Sequence, residues 1–239
     1  MIDIHCHILN NVDDGTKDML ETMQCIQEAE KAGFTDIILT PHYNKDFYKN
    51  SKSEMALKIK NLKEVAYYNS SLVGLHQGNE IYMNEELVEW LENGVVSTLA
   101  GSRYVLFEVP MCQKLLATKD VVGKMIERGY IPVLAHPERY KFVQDNVEEL
   151  KELIDMGVLI QCNYGSILGQ YGRESKKTMI TLLKNNMVSF LASDTHSSPF
   201  VYENFDKIIK ELEKYISSKK ILELTTSNAK YILNDMKIC

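Results

Sequence analysis

Seven short apolar runs recur along the chain: Ile2–His7, Thr35–His42, one within Ser71–Ile81, Tyr104–Val109, Ile131–His136, Val158–Tyr164 and Ser189–Asp194. Near-continuous Val, Ile and Leu in runs this short predict strands buried on both faces. Between them apolar residues return every three or four positions, which predicts helices. These are expected over Thr16–Lys31, Ser53–Tyr68, Glu85–Asn93, a stretch ending near Arg128, Val147–Met156, Glu174–Asn185, Val201–Tyr215 and Ser218–Leu233. Gly33, Gly94, Gly129 and Gly157 stop several of them. Repeated β-then-α units predict an α/β fold with parallel strands. No linker, repeat or low-complexity stretch intervenes, so residues 1–239 are expected to form a single domain.

Polar residues interrupt this pattern at corresponding places. Five of the six histidines, His5, His7, His42, His136 and His196, stand where an apolar run gives way to a loop. Asp14, Glu80, Glu108 and Asp194 stand in matching positions. His5 and His7, two apart on a strand, project from one face, and Cys6 between them faces away. Taken singly, a histidine at a strand end has a plainer explanation as a hydrogen-bonded structural residue, and His76 is assigned to that class. The carboxylates are harder to dismiss: Glu108 and Asp194 end apolar strands and need compensating positive charge, which no cluster of nearby Lys or Arg supplies. Divalent cations would. Nitrogen and carboxylate donors without cysteine suit Mn²⁺ first, with Fe or Zn²⁺ as alternatives. Candidate ligands on nearly every strand end must converge, which favours a closed barrel over an open sheet. The expected fold is a distorted (β/α)7 TIM-like barrel.

Composition excludes other classes. The formal net charge of −6 argues against a nucleic-acid binder. No apolar stretch suits membrane insertion, and the opening residues lack the pattern of a secretory signal. Five widely spaced cysteines (Cys6, Cys25, Cys112, Cys162, Cys239) suggest reduced thiols in a cytoplasmic protein. Six positions after Cys6, Cys25, Cys112 and Cys162 stand Val12, Lys31, Thr118 and Leu168 rather than arginine, so a cysteine-dependent tyrosine phosphatase is excluded. No glycine-rich nucleotide motif occurs.

The set Asp3–His7 (DIHCH), Asp13–Gly15 (DDG), Thr40–His42 (TPH), Gly78–Ile81 (GNEI), Phe107–Val109 (FEV), Ala135–Arg139 (AHPER) and Ser193–His196 (SDTH) resembles the PHP (polymerase and histidinol phosphatase) superfamily. More closely it resembles the bacterial metal-dependent tyrosine-protein phosphatases of capsule and exopolysaccharide loci. The resemblance implies a site of two or three metal ions. One ion would take His5, His7, Glu80 and Asp194; a second would share Glu80 and add Glu108 and His136; a third would take Asp14, His42 and His196. Arg139 matches the family's phosphate-holding arginine. A second arginine is usual after the SDxH motif, but Thr195–Phe205 contains neither Arg nor Lys. Either Arg173 or a lysine of the Lys45–Lys52 loop replaces it or phosphate binding is weaker, and Tyr43, which opens the segment Tyr43–Lys52, is a candidate to flank a phosphotyrosine ring.

The implied activity is hydrolysis of phosphotyrosine by a metal-bound hydroxide attacking phosphorus, with phenolate leaving readily. The implied partner is an autophosphorylated bacterial tyrosine kinase that controls polysaccharide export. Two alternatives stand beside this reading: a small-molecule phosphoesterase of the histidinol-phosphatase kind, which usually shows TDH where this chain has TPH, and a metal-binding regulatory domain without activity.

Overall fold

The computed structural model describes residues 1–111 and 116–238. Ten strands are found among them: β1 (Ile2–Cys6), β2 (Asp36–Leu39), β3 (His42–Asn44), β4 (Tyr48–Lys49), β5 (Gly74–Gln77), β6 (Glu80–Tyr82), β7 (Tyr104–Glu108), β8 (Ile131–Ala135), β9 (Leu159–Asn163) and β10 (Phe190–Ala192). The helices are α1 (Met19–Lys31), α2 (Lys52–Tyr68), α3 (Leu87–Glu92), α4 (Leu116–Glu127), α5 (Lys141–Asp145), α6 (Lys151–Asp155), α7 (Arg173–Lys184), α8 (Phe200–Glu203), α9 (Phe205–Leu212), α10 (Ser218–Leu222) and α11 (Asn228–Leu233). Cys112 and Cys239 lie outside the described residues; Cys6, Cys25 and Cys162 are buried free thiols.

The second and third predicted strands are each broken in two. Pro41 has no N–H to continue the ladder, so β2 ends at Leu39 and the chain resumes as β3, now paired in parallel with β6 rather than with β1. Gly78 and Asn79 make the matching break between β5 and β6. Asn79 is buried there, donating to the Pro41 carbonyl at 3.0 Å and accepting from Ser97 N at 2.9 Å. The ladder therefore runs as two sheets, β1-β2-β5 and β10-β9-β8-β7-β6-β3-β4, with every pairing parallel except the β3–β4 hairpin. Backbone bonds close the ring: Asp194 N donates to His5 O at 2.9 Å and His7 N to Thr195 O at 2.7 Å. Counting β2/β3 and β5/β6 as single bent strands gives the distorted (β/α)7 barrel.

Two apolar layers follow. Between strands and helices lies the main core, in which Phe34, Tyr164, Tyr202 and Phe205 pack edge to face. Inside the barrel, Ile2, Ile4, Ile38, Tyr104, Leu106, Val133 and Phe190 pack against Leu99 and against Ala229 and Ile232 of α11, which plugs the amino-terminal end. Helix boundaries differ from expectation mainly where a single stretch is split. Val201–Tyr215 becomes α8 and α9, Ser218–Leu233 is interrupted by a wide turn at Glu223–Ser227, and α5 is an additional short helix after β8.

Candidate metal centre

At the carboxyl ends of the strands the interior changes from apolar to charged. Three local devices aim the side chains. Along β1, Asp3 to Cys6 spans one residue more than its partners Ile37 to Leu39, a bulge that lets Ile4 and His5 both face inward. Cys6 then faces the outer core, as expected. Beyond β1 the chain folds back so tightly that a Cβ on Gly15 would lie 1.8 Å from the His7 carbonyl oxygen, which explains the glycine of the DDG motif. At the end of β8, His136 has φ 36, a left-handed conformation that turns inward a residue which alternation from Ala135 would place outside.

The nine predicted ligands are brought together around Glu80. Its Oε2 lies 3.3 Å from His5 Nε2, 3.2 Å from His7 Nε2 and 3.1 Å from His42 Nδ1, and its Oε1 is 2.9 Å from His136 Nε2. Glu108 reaches the same His42 nitrogen at 3.2 Å, and Asp194 Oδ1 lies 3.5 Å from both His5 and His7. Asp14 Oδ1 is 3.5 Å from Nε2 of His42 and of His196. Three clusters of possible ligands are compact: His7, Asp14, His42 and His196; His5, His7 and Glu80; and His42, Glu80 and Glu108. His7 and His42 thus each belong to two clusters, which differs from the partition expected from the sequence.

The tautomers are set from behind. His5 Nδ1 donates to Gln161 Oε1 at 2.8 Å, His7 Nδ1 to Asp13 Oδ2 at 2.8 Å, and His196 Nδ1 to the Asp194 carbonyl at 3.0 Å. In its neutral form each imidazole then presents a bare Nε2 to the centre, the arrangement typical of metal-ligating histidine. His5 Nε2 and His7 Nε2 face one another at 3.1 Å, and the fully buried Glu80 Oε2 has no hydrogen-bond partner. Two lone pairs and an unsatisfied carboxylate oxygen at that spacing call for a cation between them, so the donor set fits divalent metal. Without an ion the carboxylates favour protons on the same nitrogens. Burial would lower His5, but Glu80 and Asp194 raise it to about 9. Burial would raise Glu80, but His5, His42 and His136 hold it well below the usual carboxylate range. The hydrogen bond with His196 leads in holding Asp14 down at about 2. The pocket therefore attracts positive charge strongly.

Several supporting residues lie outside the predicted ligand set. Asp13 orients His7 and also accepts from His42 N at 3.0 Å. On β9, Gln161 Nε2 donates to Asn163 Oδ1 at 2.8 Å, and Asn163 Nδ2 to Asp194 Oδ2 at 2.6 Å, a chain that links His5 to Asp194. Buried Glu138 accepts from Asn163 N at 2.8 Å and Ser166 Oγ at 2.7 Å. The signals were present: a second aspartate beside Asp14, and two amides at strand spacing.

Arg139 lines the cavity above this centre. Its Nη1 lies 2.8 Å from Asp194 Oδ2, and its guanidinium sits 4.5 Å from the centre of the Tyr171 ring. The other substrate-side expectations need correction. Tyr43 is buried against Trp90, ring centres 5.0 Å apart, because it follows His42 on β3 and alternation turns it outward. Arg173 is exposed at the start of α7 and does not line the cavity. Lys45 pairs with Glu86 at 3.2 Å, and no lysine of the Lys45–Lys52 segment lines it either. His76 makes the expected structural contact, 2.9 Å to Asp36.

Comparison with known proteins places this site in context. The family model described as "Capsular polysaccharide synthesis, CpsB/CapC" matches residues 1–234. CapC of Staphylococcus aureus is 33% identical over 93% of this chain and 91% of its own length. The tyrosine-protein phosphatase CpsB of Streptococcus pneumoniae is 31% identical over the whole of both chains. A solved structure from the pair YwqE of Bacillus subtilis and CpsB of Streptococcus pneumoniae, described as metal-dependent tyrosine phosphatases, superposes with a TM-score of 0.94 at 30% identity, covering 100% of this chain and 96% of that one. The phosphotriesterase from Mycobacterium tuberculosis, at 10% identity and a TM-score of 0.62 over 98% and 94%, shares the barrel fold alone.

Proposed function

The chain belongs to the CpsB/CapC capsular polysaccharide synthesis family, and from that premise we propose that it is a metal-dependent tyrosine-protein phosphatase, a phosphoric monoester hydrolase. Relatives bearing that activity in their names match its full length, and its barrel mouth supplies the matching chemistry. The observation that carries the reading is the buried Glu80 Oε2, unpartnered and ringed by imidazole nitrogens of His5, His7 and His42. His5, His7, Asp14, His42, Glu80, Glu108, His136, Asp194 and His196 would hold two or three ions, with Glu80 shared between them. Mn²⁺ is the expected metal from the nitrogen and carboxylate donor set. Bound there, divalent cations lower the pKa of water towards about 7 and neutralise phosphoryl oxygens.

The chain's own contribution is orientation. Arg139, anchored through one edge by Asp194 and lying on the Tyr171 ring, offers its remaining N–H donors to a phosphate in the cavity. Asp13, Gln161 and Asn163 fix the imidazoles and Asp194 so that no reorganisation is needed on binding. The physiological substrate we infer is a phosphotyrosine protein of the export machinery, an autophosphorylated tyrosine kinase, met in the cytoplasm by a chain that acts as one phosphatase domain. Among the described residues no helix is long and apolar enough to cross a membrane. The test compares a phosphotyrosine peptide, histidinol phosphate and a chromogenic phenyl phosphate, with Mn²⁺ and after chelation. Phosphotyrosine hydrolysis abolished by chelation is expected. Preference for histidinol phosphate would overturn the substrate assignment, and inactivity on all three would overturn the enzyme.

A further inference from the structure

Phe47 occupies a place at the mouth that neither packing nor metal binding explains. It is 81% exposed at the turn of the β3–β4 hairpin, yet it lines the same cavity, about 380 Å³, as Arg139 and the histidines. A phenyl ring held in water gains nothing from burial, so its position asks for a ligand. The other rings of the hairpin are occupied. Tyr43 is in the core against Trp90, and Tyr48 stacks on His42 with ring centres 5.7 Å apart. Tyr82 at the end of β6 and Met111 line the cavity as well.

The hairpin is anchored rather than loose. Besides its pairing with β6, Lys45 bonds Glu86 at 3.2 Å, and Asn50 Nδ2 donates to the carbonyls of Val12 at 2.8 Å and His42 at 3.0 Å. Charge narrows the ligand further. Asp14, Glu80, Glu108 and Asp194 line the cavity, and among its described lining residues Arg139 is the single lysine or arginine. Once Arg139 and the metals hold a phosphate, the rest of the substrate meets aromatic and thioether surface and no further lysine or arginine there.

We propose that Phe47 is a specificity-determining residue, packing on the aromatic ring of an aryl phosphate whose phosphate lies at Arg139. This rests on the phosphatase reading and names the part of the chain that recognises the leaving group. An aromatic pair predicts that Phe47→Ala raises KM for a phosphotyrosine peptide about five- to tenfold, while Phe47→Trp keeps it near wild type. Inorganic phosphate, which has no ring, serves as the control ligand. Its inhibition constant should stay within about twofold in Phe47→Ala, as should the metal content of the holoenzyme. An unchanged KM in Phe47→Ala overturns the proposal. So does a parallel rise in KM and in the phosphate inhibition constant, which would mean that the hairpin shapes the phosphate pocket instead. Wild-type protein that ignores phosphotyrosine and phenyl phosphate but cleaves non-aryl phosphate esters would remove the tyrosine-phosphatase reading and this proposal together, whereas an active wild type with an indifferent Phe47→Ala removes this proposal alone.

Discussion

The two ends of the barrel are made by the same strands and follow opposite rules. At the amino-terminal end Ile2, Ile4, Ile38, Leu106 and Phe190 meet Ile232 and Ala229 in a sealed apolar plug. Even its buried phenol is satisfied, Tyr104 donating to the Met236 carbonyl at 2.7 Å. At the carboxyl end Glu80 Oε2 and His136 Nδ1 are buried without partners, and His136 and Asp194 hold left-handed backbone with φ 36 and 50. Along β1 the change takes one step, from Ile4 to His5 across the bulge. Each strained non-glycine residue costs on the order of 1–3 kcal/mol, comparable to what burying one large apolar side chain contributes. Where local rules of packing and satisfaction fail together in an otherwise consistent fold, the failure marks chemistry.

The sharpest break of this contrast is Glu80→Gln, which keeps the shape of the mouth and removes its central charge. Kcat/KM is expected to fall by more than about 10³-fold, or about 4 kcal/mol, with bound metal reduced, and by more than in any single histidine variant. Metal analysis beside phosphotyrosine kinetics checks this, and activity within about tenfold of wild type at saturating Mn²⁺ would mean that Glu80 does not bridge. Arg139→Ala comes next, costing on the order of 2–4 kcal/mol in kcat/KM for loss of one charge-assisted contact. Arg139→Lys should recover part of it, since lysine keeps the charge but not the planar fork. Asn163 still donates to Asp194 Oδ2 at 2.6 Å, so the metal content should hold in both variants. A loss of metal matching the loss of activity would show Arg139 acting through Asp194 rather than on phosphate.

The plug and the mouth were not equally legible. Apolar runs and helical periods reveal the repeating units, because burial of whole strand faces is written in composition. The list of charged strand-end residues was also legible, since Glu108 and Asp194 have no other reason to end apolar runs. What stayed hidden depends on backbone geometry. The breaks at Pro41 and Gly78 divide two strands, the β1 bulge puts Ile4 and His5 on one side, and the turn at His136 reverses its side. Period-two reasoning cannot foresee an inserted residue or a left-handed one. Tyr43 is a different case: next to His42 on a strand it had to face away, so alternation alone would have excluded it in favour of its neighbours Asn44, Phe47 and Tyr48. Gln161 and Asn163 were hidden because orienting residues touch ligands and carry no motif of their own, and Asp13, though inside DDG, is not separated there from its ligating neighbour Asp14.

At the plug, Ile232→Val sharpens the comparison from the other side. Removing one methyl from a fully buried site should cost about 0.5–1.5 kcal/mol of stability, a Tm shift of a few degrees for a chain of this size. Phosphotyrosine kinetics should be unchanged, because α11 closes the end of the barrel remote from Arg139 and the histidines. A fall in kcat with Tm unaltered would mean that the two ends are not energetically separate.

The smallest expected effect belongs to Tyr171, where the apolar and charged regimes touch. Its ring supports the Arg139 guanidinium at 4.5 Å, while its hydroxyl lies 3.4 Å from Asp194 Oδ2, near the limit of a hydrogen bond. Burial, reinforced by Asp194, pushes the phenol well up, so it stays a neutral donor across the working pH range. If the face of the ring matters more than the hydroxyl, Tyr171→Phe should change kcat/KM by less than about twofold, under half a kcal/mol. Tyr171→Leu, which removes the π face, should weaken inhibition by inorganic phosphate by about three- to tenfold, the size of a partly desolvated cation–π contact. The readout that separates support of Arg139 from mere packing is the phosphate inhibition constant against Tm: a leucine variant that loses stability but binds phosphate normally would assign Tyr171 to the core, whereas normal stability with weaker phosphate binding assigns it to the mouth.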